Sequence, residues 1–102
     1  MNKLLLTTVI AASAACAAPA CAADVAAGKA LAEASCADCH GDDGKGDADF
    51  PAVNGMTVEK FTKAIQEYQN GTRTKSPKMT KEAKKLTAAQ IADLAAYYAT
   101  LK

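Results

Sequence analysis

Tryptophan is absent from the sequence, histidine occurs once, and phenylalanine occurs only twice in 102 residues. Long apolar runs are confined to the first 23 residues, in which 17 positions are apolar. The other 79 residues hold 34 apolar positions, of which 16 are alanine and two are cysteine. The 16 larger apolar side chains that remain are few for one folded unit, because a domain near this size already buries a smaller share of its surface than a larger one. We therefore expect an internal cross-link or a bulky cofactor to supply stability that these side chains do not.

The length and the charge balance exclude several classes of protein. A chain of 102 residues is too short for several domains and argues against an elaborate enzyme active site. The formal net charge of +1 argues against strong attraction of the whole chain to nucleic acid or to a membrane surface. No stretch shows sustained alternation of β-branched residues, so strands are not predicted and the expected fold class is all-α.

The first residues have the pattern of a secretory signal peptide. Lys3 supplies a positive charge, an apolar segment follows, and small residues stand at Ala20 and Ala22. Cleavage after Ala22 or one residue later fits this pattern, so residues 1–22 are predicted to be the signal and residues 23–102 the mature domain. A retained membrane anchor would need roughly 20 apolar residues, which is longer than this segment.

The predicted cleavage changes the cysteine content from four to two. Cys16 and Cys21 belong to the signal, and neither follows the leucine that lipoprotein acceptor sites usually carry. Cys36 and Cys39 remain, in a protein sent to an oxidising compartment. The two thiols at this spacing therefore need a chemical explanation.

Helices are predicted at both ends of the mature chain. The first begins after Asp24 as N-cap and runs to about Ala34, through residues that favour helix. The last runs over 88–100, where Thr87 and Gln90 form a capping box and an apolar stripe follows.

A third helix is predicted between them. It begins after Thr57 and ends at Asn70–Gly71, the usual left-handed cap. Residues 72–79 are polar and contain Pro77, so they are predicted to be irregular, with a single helical turn over 81–85. The architecture is three helices joined by long loops, which is unusual in so small a domain unless the loops wrap around something else. The apolar stripe of the third helix comprises Phe61, Ala64, Ile65 and Tyr68.

Cys36–His40 reads Cys-Ala-Asp-Cys-His, which matches the C-x-x-C-H signature of covalent haem attachment. Two thiols three residues apart can each form a thioether with one of two adjacent vinyl groups, while His40 reaches the iron as an axial ligand. Three other chemistries remain as alternatives. A thioredoxin-like pair expects a βαβ unit, a zinc site lacks a fourth ligand of matching type, and a disulfide between Cys36 and Cys39 closes too small a loop to stabilise much.

Through this motif and several weaker features, the mature chain resembles the small bacterial class I cytochromes c. The resemblance extends over residues 24–102 and rests on the C-x-x-C-H-G segment, on Gly28, on Gly-x-Arg at 71–73, on Met79 and on the last helix. It implies an all-α cytochrome c fold with three main short helices and long loops around one covalent haem c per chain, the N- and C-terminal helices crossing. It also implies a periplasmic one-electron carrier.

The resemblance assigns the axial ligands of the iron to His40 and Met79. In the family the methionine comes from the loop before the last helix. A thioether is a soft ligand that favours ferrous iron, so this ligation raises the reduction potential. Met56 is the alternative; Met79 is preferred because it lies among polar residues without an apolar stripe, whereas Met56 suits a core or loop filler.

The resemblance also implies roles around the haem. The backbone carbonyl of Pro51 is expected to accept the ring N–H of His40, which would fix the imidazole; a simple turn proline is the alternative. Arg73 is expected to pair with a haem propionate, and a solvated surface arginine is the alternative.

The crossing of the first and last helices is expected to place Gly28 against an aromatic residue. Tyr97 matches the family position, although Tyr98 lies equally well on the apolar stripe. Ala32 departs from the family, since many relatives carry phenylalanine or tyrosine there.

The charges of the mature chain are divided along its length. Residues 24–59 carry eight acids and two lysines, about −6, whereas residues 60–102 carry nine basic residues and three acids, about +6. We expect the lysines around Met79 to steer an acidic redox partner to the haem edge, which raises association rate more than affinity; an ordinary solvated face is the alternative. These lysines are Lys75, Lys78, Lys81, Lys84 and Lys85.

The sequence therefore predicts a monomeric, non-enzymatic monohaem carrier that acts with redox partner proteins, without nucleic acid and without a membrane span after signal removal. Two other functions stay open. One is the haem subunit of a larger oxidoreductase complex. The other is a ligand-binding or peroxidatic haem protein with a labile sixth site, which requires that Met79 is not a ligand.

Overall fold

The computed structural model describes residues 23–102, and the predicted signal peptide lies outside this range. Within it, every regular element is a helix, so the predicted all-α class is confirmed. No helix in this part of the chain is long and apolar enough to cross a membrane. The helices are α1 (Val25–Ser35), α2 (Ala37–His40), α3 (Val58–Asn70), α4 (Pro77–Lys84) and α5 (Ala88–Thr100).

The three main helices begin at the predicted caps. Asp24 accepts from the amide of Ala27 at 3.1 Å, and Thr57 accepts from the amide of Lys60 at 3.2 Å. The capping box of α5 has both of its bonds, one at 3.2 Å to the Thr87 hydroxyl and one at 3.0 Å to the Gln90 side chain. These bonds satisfy amides that have no partner within the helix, so short sequence signals were sufficient to locate the helix starts.

The prediction for residues 72–79 is wrong at its C-terminal end. Pro77 does not interrupt the chain but opens α4, at the first helical position, where its missing N–H is not needed and its fixed φ suits the helix. Ser76 is the N-cap, and its hydroxyl accepts from the amide of Met79 at 3.1 Å. Met79 therefore lies in the first turn of a helix rather than in a loop.

The first and last helices cross at Gly28, as expected. A Cβ at this position would overlap the backbone carbonyl of Asp93 and would lie 3.0 Å from the Cβ of Tyr97. The Asp93 carboxylate also accepts from the amide of Asp24 at 2.8 Å. Ala32, which the family resemblance marked as a departure, is buried.

Tyr97 and Tyr98 are both buried, on two sides of α5. Tyr97 faces the crossing with α1, whereas Tyr98 stacks on Phe61 of α3 with ring centroids 5.5 Å apart. Tyr97 is therefore the aromatic residue at the helix crossing, and Tyr98 packs against α3 instead. Within residues 23–102, the buried core comprises Ala32, Phe61, Ile65, Ala83, Ile91, Leu94, Ala95, Tyr97 and Tyr98.

Candidate functional site

The two cysteines lie where α1 turns into the short helix α2. Cys36 closes α1 through a bond from its amide to the carbonyl of Ala32 at 2.8 Å, and its own carbonyl accepts from the amide of His40 at 3.0 Å. Cys36 and Cys39 are both free thiols and both partly buried, so the small disulfide loop considered above is not formed. This compact turn presents two thiols and one imidazole from five consecutive residues.

The imidazole of His40 is hydrogen-bonded to Pro51, the residue expected to orient it. Its Nδ1 lies 2.8 Å from the carbonyl oxygen of Pro51. Because a carbonyl can only accept, the proton of the neutral ring belongs on Nδ1, and Nε2 keeps a free lone pair. A metal ligand requires this tautomer, and the bond makes the free nitrogen more basic.

Gly46 allows the Pro51 loop to close over His40, a role that the sequence analysis missed. Its amide donates to the carbonyl of His40 at 2.8 Å, and its φ is +65°. A Cβ there would collide with the carbonyl of Phe50 and would lie 2.7 Å from that of Pro51. The cluster of glycines after the motif was the available signal, but spacing alone did not identify which glycine packs against the proline.

The two thiols have different surroundings. Burial raises the pKa of the Cys36 thiol, and the neighbouring Tyr98 side chain acts in the opposite direction. Burial likewise raises the pKa of Tyr98 well above its ordinary value. Cys39 instead accepts from the ammonium of Lys78, with Nζ and Sγ 3.3 Å apart. One sulfur therefore faces the core and the other faces a cation.

A cleft of about 410 Å³ borders Pro51, whose carbonyl contacts the His40 ring. Ser76, whose hydroxyl accepts from the amide of Met79, also lines it. His40 and Met79 do not line the cleft themselves, so it contacts a neighbour of each expected axial ligand. Its lining is Asp47, Ala48, Asp49, Phe50, Pro51, Tyr68, Lys75 and Ser76.

The residues present fit a covalent haem. Two free thiols can form thioethers, and the imidazole has its metal-binding nitrogen available. Phe50, 37% exposed, adds apolar surface to the cleft. Within residues 23–102, no group of three or more His, Cys, Asp or Glu side chains is placed to hold a metal ion.

Met79 and Met56 have more similar surroundings than the sequence suggested. Both methionines pack, partly buried, against the hydrophobic core, so the expectation that Met79 belongs to no apolar stripe is wrong. The reason is that α4 is amphipathic from its first turn and directs part of that turn inward. What distinguishes Met79 is its neighbour: the contact of Lys78 with Cys39 brings this turn against the attachment segment.

Arg73 has a protein partner in this structure. Its guanidinium lies 3.3 Å from the Glu67 carboxylate and 5.6 Å from the centre of the Tyr68 ring. Tyr68 lines the cleft, so Arg73 lies behind it. The expected pairing of Arg73 with a propionate stays a prediction.

The acids between the motif and Pro51 shape the loop. Asp43 accepts from the amide of Lys45 at 3.0 Å. Asp47 accepts from the amides of Asp49 and Phe50 at 2.8 and 3.0 Å. These turns fix the backbone that leads into Pro51, which is a structural use of aspartate in loops.

Comparison with known proteins identifies the class to which this fold and site belong. The sequence model of the family described as cytochrome c matches residues 25–102, so the chain belongs to the cytochrome c family. The expected resemblance and cytochrome c fold are confirmed, and family membership indicates covalently bound haem c.

Relatives are found among bacterial cytochromes. The chain is 37% identical over 67 residues to cytochrome c-552 of Acidithiobacillus ferridurans, covering 66% of this chain and 29% of that protein. It has the same identity over 67 residues to the cytochrome subunit of sulfide dehydrogenase of Chlorobaculum tepidum, covering 66% of this chain and 60% of that one. The chain therefore spans less than two thirds of these two relatives.

A solved structure confirms the fold. Cytochrome c4 of Acidithiobacillus ferrooxidans matches with a TM-score of 0.70 and 33% identity, covering 78% of this chain and 50% of that one. The thiosulfate dehydrogenase of Marichromatium purpuratum matches with a TM-score of 0.71 and 32% identity, covering 76% and 19%.

Proposed function

We propose that this chain is a periplasmic one-electron carrier with a single haem, attached through Cys36 and Cys39 and ligated by His40 and Met79. The observation that supports it best is the turn that carries two free thiols, Cys36 and Cys39, beside an imidazole whose Nδ1 is bonded to Pro51 and whose Nε2 is available to a metal. The predicted secretory signal supports the periplasmic location, since the sequence leads the mature domain into an oxidising compartment.

The protein residues orient the ligands and exclude water. Pro51 holds the imidazole ring through Nδ1, so that Nε2 points to one fixed position. Ser76 fixes the backbone at Met79 through its cap bond. When bound, haem c supplies an iron that cycles between ferrous and ferric states. The chain itself needs no acid or base for this task, and the one imidazole is committed to Pro51.

Absorption spectra of the oxidised protein test the ligand assignment. A methionine bound to ferric iron gives a weak far-red band, and we expect Met79→Leu to abolish it. Met56→Leu is the matched control, because both methionines pack against the same core, and it should leave the band unchanged. A high-spin ferric spectrum with rapid carbon monoxide binding after reduction would instead support the ligand-binding haem protein with an open sixth site.

A role as the haem subunit of a larger oxidoreductase is a second candidate. One relative is the cytochrome subunit of sulfide dehydrogenase, and one similar structure is a thiosulfate dehydrogenase. Purification from the native cell without affinity tags distinguishes the two. A free carrier elutes at the size of this chain alone, whereas a subunit elutes with its partner.

The docking surface proposed for an acidic redox partner is the lysine cluster of the C-terminal region. Lys75 lines the cleft, and Lys81 and Lys84 lie in the last turn of α4. Changing these three to glutamine should slow electron exchange with an acidic partner at low salt, and the difference should shrink as salt rises. An unchanged rate from low to moderate salt would contradict this proposal. Lys78 is left intact in this variant because it has a different contact.

A further inference from the structure

Lys78 occupies a position that helix electrostatics disfavours. It is the second residue of α4, where amides without partners give the helix end a partial positive charge. The first turn of α4 contains no acid, whereas Lys81 and Lys84 occupy the last turn, where cations are favoured. A lysine in the first turn therefore needs a compensating contact.

The structure supplies that contact at the haem attachment site. Lys78 Nζ donates to Cys39 Sγ at 3.3 Å, across 39 positions of sequence. The side chain is exposed, so it retains access to solvent and needs no burial of its charge. Of the two attachment sulfurs, that of Cys39 has this cation, and that of Cys36 belongs to a side chain packed against the hydrophobic core.

We propose that Lys78 tunes the reduction potential of this cytochrome through the Cys39 thioether. A positive charge held at the sulfur that joins the porphyrin edge opposes the extra positive charge of ferric iron, so it favours the ferrous state. The electron comes from the redox partner, and Lys78 exchanges no bond or proton. This role rests on the attachment of haem to Cys39 proposed above.

The size of the effect is modest because the ammonium is exposed and screened. Removing the charge should lower the ratio of ferrous to ferric protein at a fixed potential about threefold. This corresponds to a decrease of about 28 mV in the reduction potential, at 59 mV per tenfold for a one-electron couple. Lys78→Gln keeps a donor and removes the charge, Lys78→Met removes both, and Lys78→Arg keeps both. Lys84→Gln is the matched control, since it removes one charge from the other end of the same helix.

The test is a spectroscopic redox titration of each holoprotein at low and moderate salt. We expect the two charge-removing variants at Lys78 to have lower potentials than the parent, Lys78→Arg to match the parent, and Lys84→Gln to shift less. Equal shifts of the potential in Lys78→Gln and Lys84→Gln would show that Lys78 acts only as an ordinary surface charge, and would overturn the proposal. A shift in Lys78→Arg as large as that in Lys78→Gln would also overturn it, because the charge would then not be the cause.

The pyridine haemochrome spectrum separates failure of this proposal from failure of the attachment assignment. A red-shifted spectrum in the parent protein would show that one thioether is missing, which contradicts the proposed attachment at both cysteines. A normal two-thioether spectrum with an unchanged potential in Lys78→Gln contradicts the role of Lys78 alone.

Discussion

The two halves of the described chain are stabilised by different means. Of the nine buried core residues, Ala32 alone comes from the part before α3, and the other eight come from α3, α4 and α5. The first half instead relies on backbone bonds, such as those from Gly46 to His40 and from Val53 to Gly44, at 2.8 and 2.7 Å. The C-terminal half therefore builds a small protein core, whereas the N-terminal half has little core of its own and is held mainly by backbone bonds.

The largest expected effect follows from removing the cofactor. In the variant with Cys36→Ala and Cys39→Ala, the N-terminal half loses its tethered apolar partner, and the few large side chains cannot compensate. We expect no cooperative thermal transition by circular dichroism. A sharp transition in this variant would show that the protein core alone is sufficient, and would weaken the distinction between the halves.

The second largest effect is expected at the crossing of α1 and α5, where the two halves meet. Gly28→Ala forces a Cβ against the Asp93 carbonyl, and we expect a loss of about 3 kcal/mol in the free energy of unfolding of the holoprotein. Gly71→Ala is the control, because it meets open space and carries only the strain of φ +83°, which costs about 1 kcal/mol. Denaturant titration measures both, and equal losses would mean that the crossing is able to adjust.

A smaller effect is expected inside the C-terminal half. Thr87→Ala removes the side-chain cap of α5 and should cost about 1 kcal/mol by denaturant titration. Thr57→Ala removes the equivalent cap of α3 and serves as the comparison. If both losses are similar, the two helices contribute to one cooperative unit; a negligible loss for Thr57→Ala would place α3 outside it.

The smallest effect concerns Tyr98 at alkaline pH. Because burial raises its pKa, the unfolded chain loses the phenolic proton first, near the ordinary value of 10.0. The free energy of unfolding is therefore unaffected below that pH and decreases as the pH rises above it. Tyr98→Phe should reduce this alkaline decrease when thermal stability is followed against pH. An identical pH profile in the variant would show that Tyr98 is hydrated in the folded state.

Sequence reasoning was sufficient where local chemistry decides the structure. The caps at Asp24, Thr57 and Thr87 are local hydrogen bonds, and the C-x-x-C-H spacing is a local requirement of haem attachment. Pro77 was misread because the same ring that breaks a helix interior suits its first position, and only the Ser76 cap distinguishes the two.

Contacts between distant segments could not be read in this way. The placement of Pro51 on His40 was expected from family resemblance, while its dependence on Gly46 was not. The contact of Lys78 with Cys39 depends on how α4 packs against the attachment turn, and no periodicity or spacing encodes it. The cleft is likewise a product of three segments that are separate in sequence.

The crossing at Gly28 also determines when the fold can close. Asp24 and Asp93, which are joined by a hydrogen bond beside it, are 69 positions apart. Such a contact closes a loop that contains most of the described chain. The conformational entropy of that loop is lost before the contact can stabilise the fold. The packing of α1 in its final place therefore depends on the arrival of α5 at the crossing. Until the two helices meet, the thiols of Cys36 and Cys39 are more accessible than in the finished fold.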